Sequence, residues 1–189
     1  MKTIQINAYY FHELSEEVQY KIIENNRETI CDYEMQFIHN EMDRTIEKFM
    51  YFVSAYVNRC GGLILDDPDD YNLTGKYLYR RVRHLIDYYF TEPRKYFKNG
   101  KSRVSNLMVN QDCPLTGVYT DCVILSPIFS YIEGKLKVGN YYELIKCCLD
   151  SVDKFFNESE EYFSSEEYIK GILADQDDYY TIDGTIIDY

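Results

Sequence analysis

The side chains that could carry out catalysis are few in this sequence. It has three histidines, at positions 12, 39 and 84, and six cysteines. A nucleophilic Cys–His pair needs only to meet in space, and with these numbers a chance pairing carries little weight. The sequence has no glycine-rich phosphate loop and no His-Glu-x-x-His spacing. Its many carboxylates offer no pair to prefer as acid and base. We therefore expect no catalytic residues and no cofactor, and a small enzyme is the least favoured interpretation.

The cysteines do not form a recognisable metal or disulfide pattern. Their spacing is irregular and no Cys-x-x-Cys pair occurs. A zinc site would have to combine Cys113, Cys122 and Cys147 with one histidine, whereas structural zinc sites usually show tight local ligand pairs. We expect free, mostly buried thiols and no bound metal.

Acidic residues form the first candidate binding surface. Four of them surround Pro68 in a stretch with the chemistry of a loop: Asp66, Asp67, Asp69 and Asp70. Their spacing does not match a calcium-binding EF-hand. Further acidic residues lie towards the C-terminus: Glu158, Glu160, Glu161, Glu166, Glu167, Asp175, Asp177 and Asp178. Together these carboxylates could imitate a phosphate backbone and bind a basic partner. The alternative is that they only keep a tyrosine-rich protein soluble.

The second candidate surface is a basic segment at residues 76–103. The chain has a net charge of −12, yet this segment alone carries +7, which leaves −19 for the remainder. Tyrosines alternate here with cations, as in single-stranded nucleic-acid sites. The candidate residues are Lys76, Arg80, Arg83, Arg94, Lys95 and Lys98. The alternative is that they pair with the protein's own acids, which the overall charge favours.

Tyrosine is unusually abundant, with 21 residues against 10 phenylalanines and no tryptophan. Tyrosine suits interfaces because its ring is apolar and its hydroxyl is polar. The alternative is an AT-rich genome, whose codons favour tyrosine.

Hydrophobic periodicity predicts how these residues are positioned. An alternating strand is expected at residues 3–8, followed by a helix that Ser15 caps. The remaining predicted helices lie at about 33–59 (ended by Gly61-Gly62), 75–90, from Ser126-Pro127 to Gly134, from Asn140 to about 157, and after Ser164. A short strand is expected at about 103–109, after a turn at Asn99-Gly100, and two β-prone runs around Asp183-Gly184 predict a C-terminal hairpin.

These elements predict an α+β fold. It should be mostly helical, with a small antiparallel sheet formed by the N-terminal strand and the C-terminal hairpin, in a single domain over residues 1–189. The sequence contains no apolar run long enough to cross a membrane and no apolar segment typical of a secretory signal. We expect the protein to remain in the cytoplasm.

Two stretches resemble a group of uncharacterised phage and prophage proteins. The first is Phe11-His12-Glu13-Leu14-Ser15-Glu16-Glu17 through Lys21, and the second runs from Ser165-Glu166-Glu167 to the Asp183-Gly184 turn. The loop Cys113-Pro114-Leu115-Thr116-Gly117, with Asp121 and Pro127, is also similar. The resemblance implies a phage accessory protein, in the cytoplasm of a host bacterium, and it assigns no functional residues.

Charge and resemblance together lead to two main hypotheses. The first is an inhibitor of a bacterial defence nuclease, most plausibly an anti-CRISPR protein. It would bind a host protein such as a CRISPR effector complex through Asp66, Asp67, Asp69, Asp70, Asp175, Asp177 and Asp178. The second is a nucleic-acid-binding accessory protein that uses the basic segment. A homodimer is possible in either case, because a long apolar helix can pair with a second copy.

Overall fold

The structure is a computed structural model that describes residues 7–89, 97–98, 101–102 and 115–187. Its helices are α1 (Glu16–Val53), α2 (Gly75–Tyr89), α3 (Thr120–Ile132), α4 (Tyr141–Phe163) and α5 (Glu166–Asp175). Short 3-10 helices occupy Phe11–Glu13 and Pro68–Asn72. The strands are β1 (Tyr9–Tyr10), β2 (Ala55–Val57), β3 (Leu63–Leu65), β4 (Phe97–Lys98), β5 (Lys101–Ser102) and β6 (Tyr179–Tyr180).

The predicted α+β fold is confirmed. Strand β1 pairs antiparallel with β6, so that Tyr9 faces Tyr180 and Tyr10 faces Tyr179. Thr181 and Thr185 close the hairpin after β6, where the Thr181 N–H donates to the Thr185 carbonyl at 2.8 Å. The small sheet therefore joins the N-terminal strand to the C-terminal hairpin, as predicted.

The first strand of the described chain begins after the strand that was predicted at residues 3–8. It lies at Tyr9–Tyr10, and Asn7 and Ala8 are outside it. Residues 3–6 of the predicted strand lie outside the described residues, as do the turn at 99–100 and the predicted strand at 103–109. Strands β4 and β5 pair on either side of that turn.

Helix α1 replaces two predicted helices. Residues 16–53 contain no proline or glycine, so nothing in the backbone chemistry interrupts the helix. The helix ends earlier than predicted, at Val53, and Ser54 adopts a left-handed conformation with φ of 55°. Strands β2 and β3 then form a hairpin with Gly61-Gly62 in its turn. The two glycines therefore belong to the loop of this hairpin and do not cap a helix.

Helix α3 begins earlier than predicted and contains Pro127 in its interior. A proline has no N–H, so the carbonyl four residues before it, that of Val123, loses its helical donor. The Ser151 hydroxyl lies 3.0 Å from that carbonyl oxygen and 2.6 Å from the Cys148 carbonyl oxygen, so the two acceptors share its one hydrogen. A side chain from α4 thus compensates in part for the missing hydrogen bond, and the prediction of a helix start at Pro127 was wrong.

The chain forms two compact units. One comprises Met1–Ile38 with Phe156–Tyr189, and the other comprises His39–Phe155. The core of the first unit contains Phe11, Leu14, Ile22, Ile23, Ile169, Leu173 and Tyr180. In the C-terminal hairpin, Gly184 has φ of +87°, and a Cβ there would lie 2.9 Å from Val18 Cγ1. Only glycine allows the hairpin to pack this closely on α1.

The second unit is centred on buried side chains from α1 to α4, including Met42, Phe49, Val82, Ile124 and Leu144. It also contains a buried polar cluster. The Asp121 carboxylate is fully buried and accepts hydrogen bonds from the N–H groups of Leu115, Thr116 and Gly117. Asp121 therefore fixes the loop that precedes α3.

Candidate functional site

The candidate site is the corner between α4 and α5 in the first unit. Helix α4 ends at Phe163 and α5 begins at Glu166, so two residues make the turn. Ser165 caps α5 by accepting a hydrogen bond from the Tyr168 N–H at 3.3 Å. Arg27 of α1 donates to the Ser164 carbonyl. The turn is thus fixed at both helix ends. The predicted helix start is confirmed, although Ser165 and not Ser164 provides the cap.

A groove of about 800 Å³ lies along this corner. The residues that line it recur at helical spacing on both helices, so each helix presents one face to it. They are Glu158, Glu161, Tyr162, Ser165, Glu167, Tyr168, Gly171, Ile172 and Asp175. Four of these nine residues are acidic and none is basic. We call this feature the acidic groove.

Aromatic rings form part of the wall of the acidic groove. The centroids of Tyr162 and Tyr168 lie 5.0 Å apart with an interplanar angle of 56°. Phe163 packs edge-on against Tyr168 at 4.9 Å. The side chain of Tyr162 is 60% exposed although it contacts both neighbouring rings. The contacts hold its ring in place, and its exposed surface remains accessible to a partner.

Tyr168 is a weaker acid than an ordinary tyrosine. Burial raises the pKa of its hydroxyl, and the carboxylate of Glu34 raises that pKa further. An ordinary tyrosine is already neutral at pH 7, and the raised pKa moves the titration of Tyr168 further above that pH. It adds no negative charge to the groove, and its half-buried ring packs against the core of the first unit while it lines the groove.

Gly171 lies in the interior of α5 and lines the acidic groove. Its φ is not positive, and a Cβ built on it meets no atom within 4 Å. Neither backbone conformation nor packing in the described chain requires glycine here. In a helix interior glycine costs about 1 kcal/mol relative to alanine. Because residue 171 has no side chain, the backbone of α5 is open at this point of the groove, and a partner could approach it closely.

The predicted acidic partner-binding residues are divided between the two units. Asp175 lines the acidic groove, Asp177 is exposed, and Asp178 is half-buried just beyond α5. Asp66, Asp67 and Asp69 are exposed around the 3-10 helix of the other unit.

Asp70 does not belong to the predicted acidic surface. It is 5% exposed, and its Oδ2 accepts hydrogen bonds from Nε of Arg81 at 3.1 Å and from Nη2 of Arg81 at 2.9 Å. The Arg81 guanidinium also lies 5.5 Å from the centroid of the Tyr141 ring. A buried carboxylate requires such a partner, so Asp70 is an internal ion-pair residue. A turn or loop was predicted for residues 66–70, and its second half begins a short 3-10 helix, Pro68–Asn72, after a bend at Asp66 and Asp67.

The predicted basic residues are only partly described. Lys76 and Arg80 are exposed on α2, Arg83 is half-buried, and Lys98 lies in β4. Arg94 and Lys95 lie outside the described residues. The ammonium of Lys76 lies 5.1 Å from the ring centroid of Tyr77, which is 57% exposed. Helix α2 thus presents cations and aromatic rings together, as the sequence predicted for this part of the segment.

The glutamates around α4 and α5 were among the acidic residues considered for partner binding, but Tyr162, Tyr168 and Gly171 were not predicted from the sequence. A signal was present, because residues 158, 161, 162 and 165, and residues 168, 171, 172 and 175, share the same helical spacing. The turn that brings the two sets together can be predicted only once both helix ends are known.

Within the described ranges, no group of three or more His, Cys, Asp or Glu residues is placed to hold a metal ion. Cys122 and Cys147 are not in a disulfide bond, and Cys113 of the zinc combination lies outside those ranges. A search of the described helices finds none with the length and apolar character needed to span a bilayer. Comparison with known proteins finds no matching family model, curated protein or solved structure.

Proposed function

We propose that this chain is a phage-encoded inhibitor of a bacterial defence nuclease, with a CRISPR effector complex as the leading target. It acts in the host cytoplasm by binding protein and not by catalysis. The acidic groove carries the proposal, since it combines four carboxylates with exposed tyrosine on a fixed helical corner. The resemblance of the N-terminal and C-terminal stretches to phage accessory proteins supports the origin.

The physical basis is competition with nucleic acid. A nuclease holds the phosphate backbone in a channel lined by Lys and Arg. Carboxylates presented on a rigid surface can occupy such a channel, while exposed tyrosines contribute apolar contact area. The overall charge of −12 adds long-range attraction towards a basic target.

The direct test uses purified CRISPR effector complexes of several types in a target-cleavage assay. We expect this protein to inhibit cleavage by one type, and to do so less well when nucleic acid is bound first. Inhibition should weaken as salt is raised, because charge attraction contributes to it. If the protein neither binds nor inhibits any effector in the panel, the proposal is wrong.

A second candidate function is binding of nucleic acid by α2 and the segment that follows it. The observation in its favour is the exposure of Lys76, Tyr77, Tyr79 and Arg80 on one helix. A gel-shift series over increasing salt tests it, with Lys76→Gln and Arg80→Gln as variants. Binding that falls steeply with salt and weakens in both variants supports this function. No shift at low salt excludes it.

A further inference from the structure

We propose that the acidic groove binds an arginine-bearing segment of a partner protein, with the guanidinium groups placed against Tyr162 and Tyr168. This inference rests on the proposed function, since it specifies the chemistry of the surface that the inhibitor would cover. It concerns only the corner between α4 and α5.

Charge complementarity selects a cationic occupant. Glu158, Glu161, Glu167 and Asp175 all line one groove of about 800 Å³, and its nine lining residues include no cation. Nucleic acid would be repelled by these carboxylates. A basic protein segment would be attracted, and this volume accommodates side chains from such a segment rather than a whole domain.

The aromatic wall selects arginine over lysine. The guanidinium is planar and weakly hydrated, so it can stack on an exposed ring while it donates two hydrogen bonds to a carboxylate. Tyr162 provides such a ring, and the carboxylates of Glu161 and Glu167 line the same groove. A lysine ammonium would keep only the charge attraction and would lose more hydration energy.

Gly171 supplies the access that this occupant needs. A side chain at residue 171 would project into open space in the groove, because a Cβ there meets nothing within 4 Å. The glycine lets the partner approach the α5 backbone, and a large side chain at this position would fill that space.

The test measures binding of two alanine-based helical peptides to the full chain by isothermal titration calorimetry. One peptide carries arginine at every fourth position and the other carries lysine at the same positions. We expect the arginine peptide to bind about tenfold more tightly. Equal affinity for the two peptides, or no binding of either at low salt, overturns the inference.

Variants locate the binding site. Gly171→Leu should weaken arginine-peptide binding about tenfold, and Glu161→Gln and Tyr162→Leu about fivefold each. The matched controls lie on exposed positions of α1, in the same unit: Gln36→Leu, Glu28→Gln and Tyr33→Leu. They should change affinity by less than about twofold. Equal losses in the controls would show that binding is not at the groove.

Gly171→Ala provides the check on folding. It should retain most of the peptide binding and unfold at a higher temperature than the parent, because alanine favours the helix. A loss of binding in Gly171→Leu then reports the blocked groove if that variant keeps the parent's helical circular dichroism. A groove-dependent dimer in sedimentation, abolished by Gly171→Leu, would show that a second copy is the occupant and would overturn the inference.

The cleavage assay separates this inference from the proposed function. If Gly171→Leu inhibits the nuclease as well as the parent does, the function stands and the groove is not the binding site. If the arginine peptide binds the groove but no effector is inhibited, the groove inference stands and the proposed target class is wrong.

Discussion

Truncation of Asp121 tests whether one buried carboxylate holds the loop before α3. Its Oδ2 accepts from the N–H groups of Leu115 at 2.7 Å, Thr116 at 2.8 Å and Gly117 at 3.3 Å. Its Oδ1 accepts from the Thr116 hydroxyl at 2.7 Å and lies 3.4 Å from the Thr45 hydroxyl. Asp121→Ala removes the acceptor for all of these donors. Each unmade hydrogen bond to a charged group costs about 1.5 to 3 kcal/mol, and part-buried donors recover some of that from water.

We therefore expect Asp121→Ala to lower the free energy of unfolding by about 3 to 4 kcal/mol, a large share of the roughly 5 to 15 kcal/mol typical of a domain. Asp121→Asn should cost only about 1 to 2 kcal/mol. Its amide can direct oxygen to the three N–H groups and its NH₂ group to the Thr116 hydroxyl, so it loses mainly the charge.

Urea denaturation followed by circular dichroism measures both values. The control is Asp153→Ala, an exposed position on α4, which should change stability by no more than about 0.5 kcal/mol. The reasoning is refuted if Asp121→Ala costs less than about 1 kcal/mol, or if asparagine costs as much as alanine.

Three further predictions follow from the buried polar groups. Asp70→Ala should lower the free energy of unfolding by about 3 kcal/mol, because it leaves Arg81 largely buried without its carboxylate. The double variant Asp70→Leu with Arg81→Met should be within about 1 kcal/mol of the parent in the same urea assay. Tyr180→Phe should raise stability by up to about 1 kcal/mol, since among the described residues its buried hydroxyl has no hydrogen-bond partner; a loss of stability in thermal denaturation would contradict this. Iodoacetamide should label Cys60, which is exposed, in the native protein, and it should label Cys148 only after unfolding. The reason is that burial raises the pKa of the Cys148 thiol well above its ordinary value. Similar labelling rates for the two cysteines in site-resolved mass spectrometry would refute this prediction.

The elements that sequence predicted well are those with a strong local signal. Helix α2 begins and ends within one residue of its predicted bounds, because Val82 and Leu85 lie on a clear buried stripe. The start of α4 was also predicted from its capping residues. The Glu143 N–H donates to the Asn140 side chain at 2.9 Å, and the Glu143 carboxylate accepts from the Gly139 N–H at 2.6 Å.

The errors occur where a distant contact overrides the local signal. Pro127 is a strong local marker for a helix start, yet Ser151 of α4 supports its position inside α3. Phe37 matches the apolar stripe of α1 by spacing, but it is 60% exposed because the buried face shifts along this long helix. Asp70 is acidic and flanked by acids, yet Arg81, eleven positions later, keeps it inside. None of these partners can be identified from sequence spacing alone.

The basic and acidic surfaces can be compared by the contacts that their charged side chains make. On the basic side, Arg81 forms an ion pair with Asp70, and Arg83 is half-buried and has an interaction of its own. The ammonium of Lys76 lies over the ring of Tyr77. Arg81 and Arg83 are therefore engaged within the fold, whereas Arg80 is exposed. On the acidic side, four carboxylates converge on one groove whose nine lining residues include no cation. Carboxylates such as Glu161, Glu167 and Asp175, which line one groove with the exposed ring of Tyr162, attract a partner of opposite charge. The four carboxylates and the exposed ring of Tyr162 in one groove, rather than the total charge of −12, are the reason to propose a partner for the acidic side of this protein.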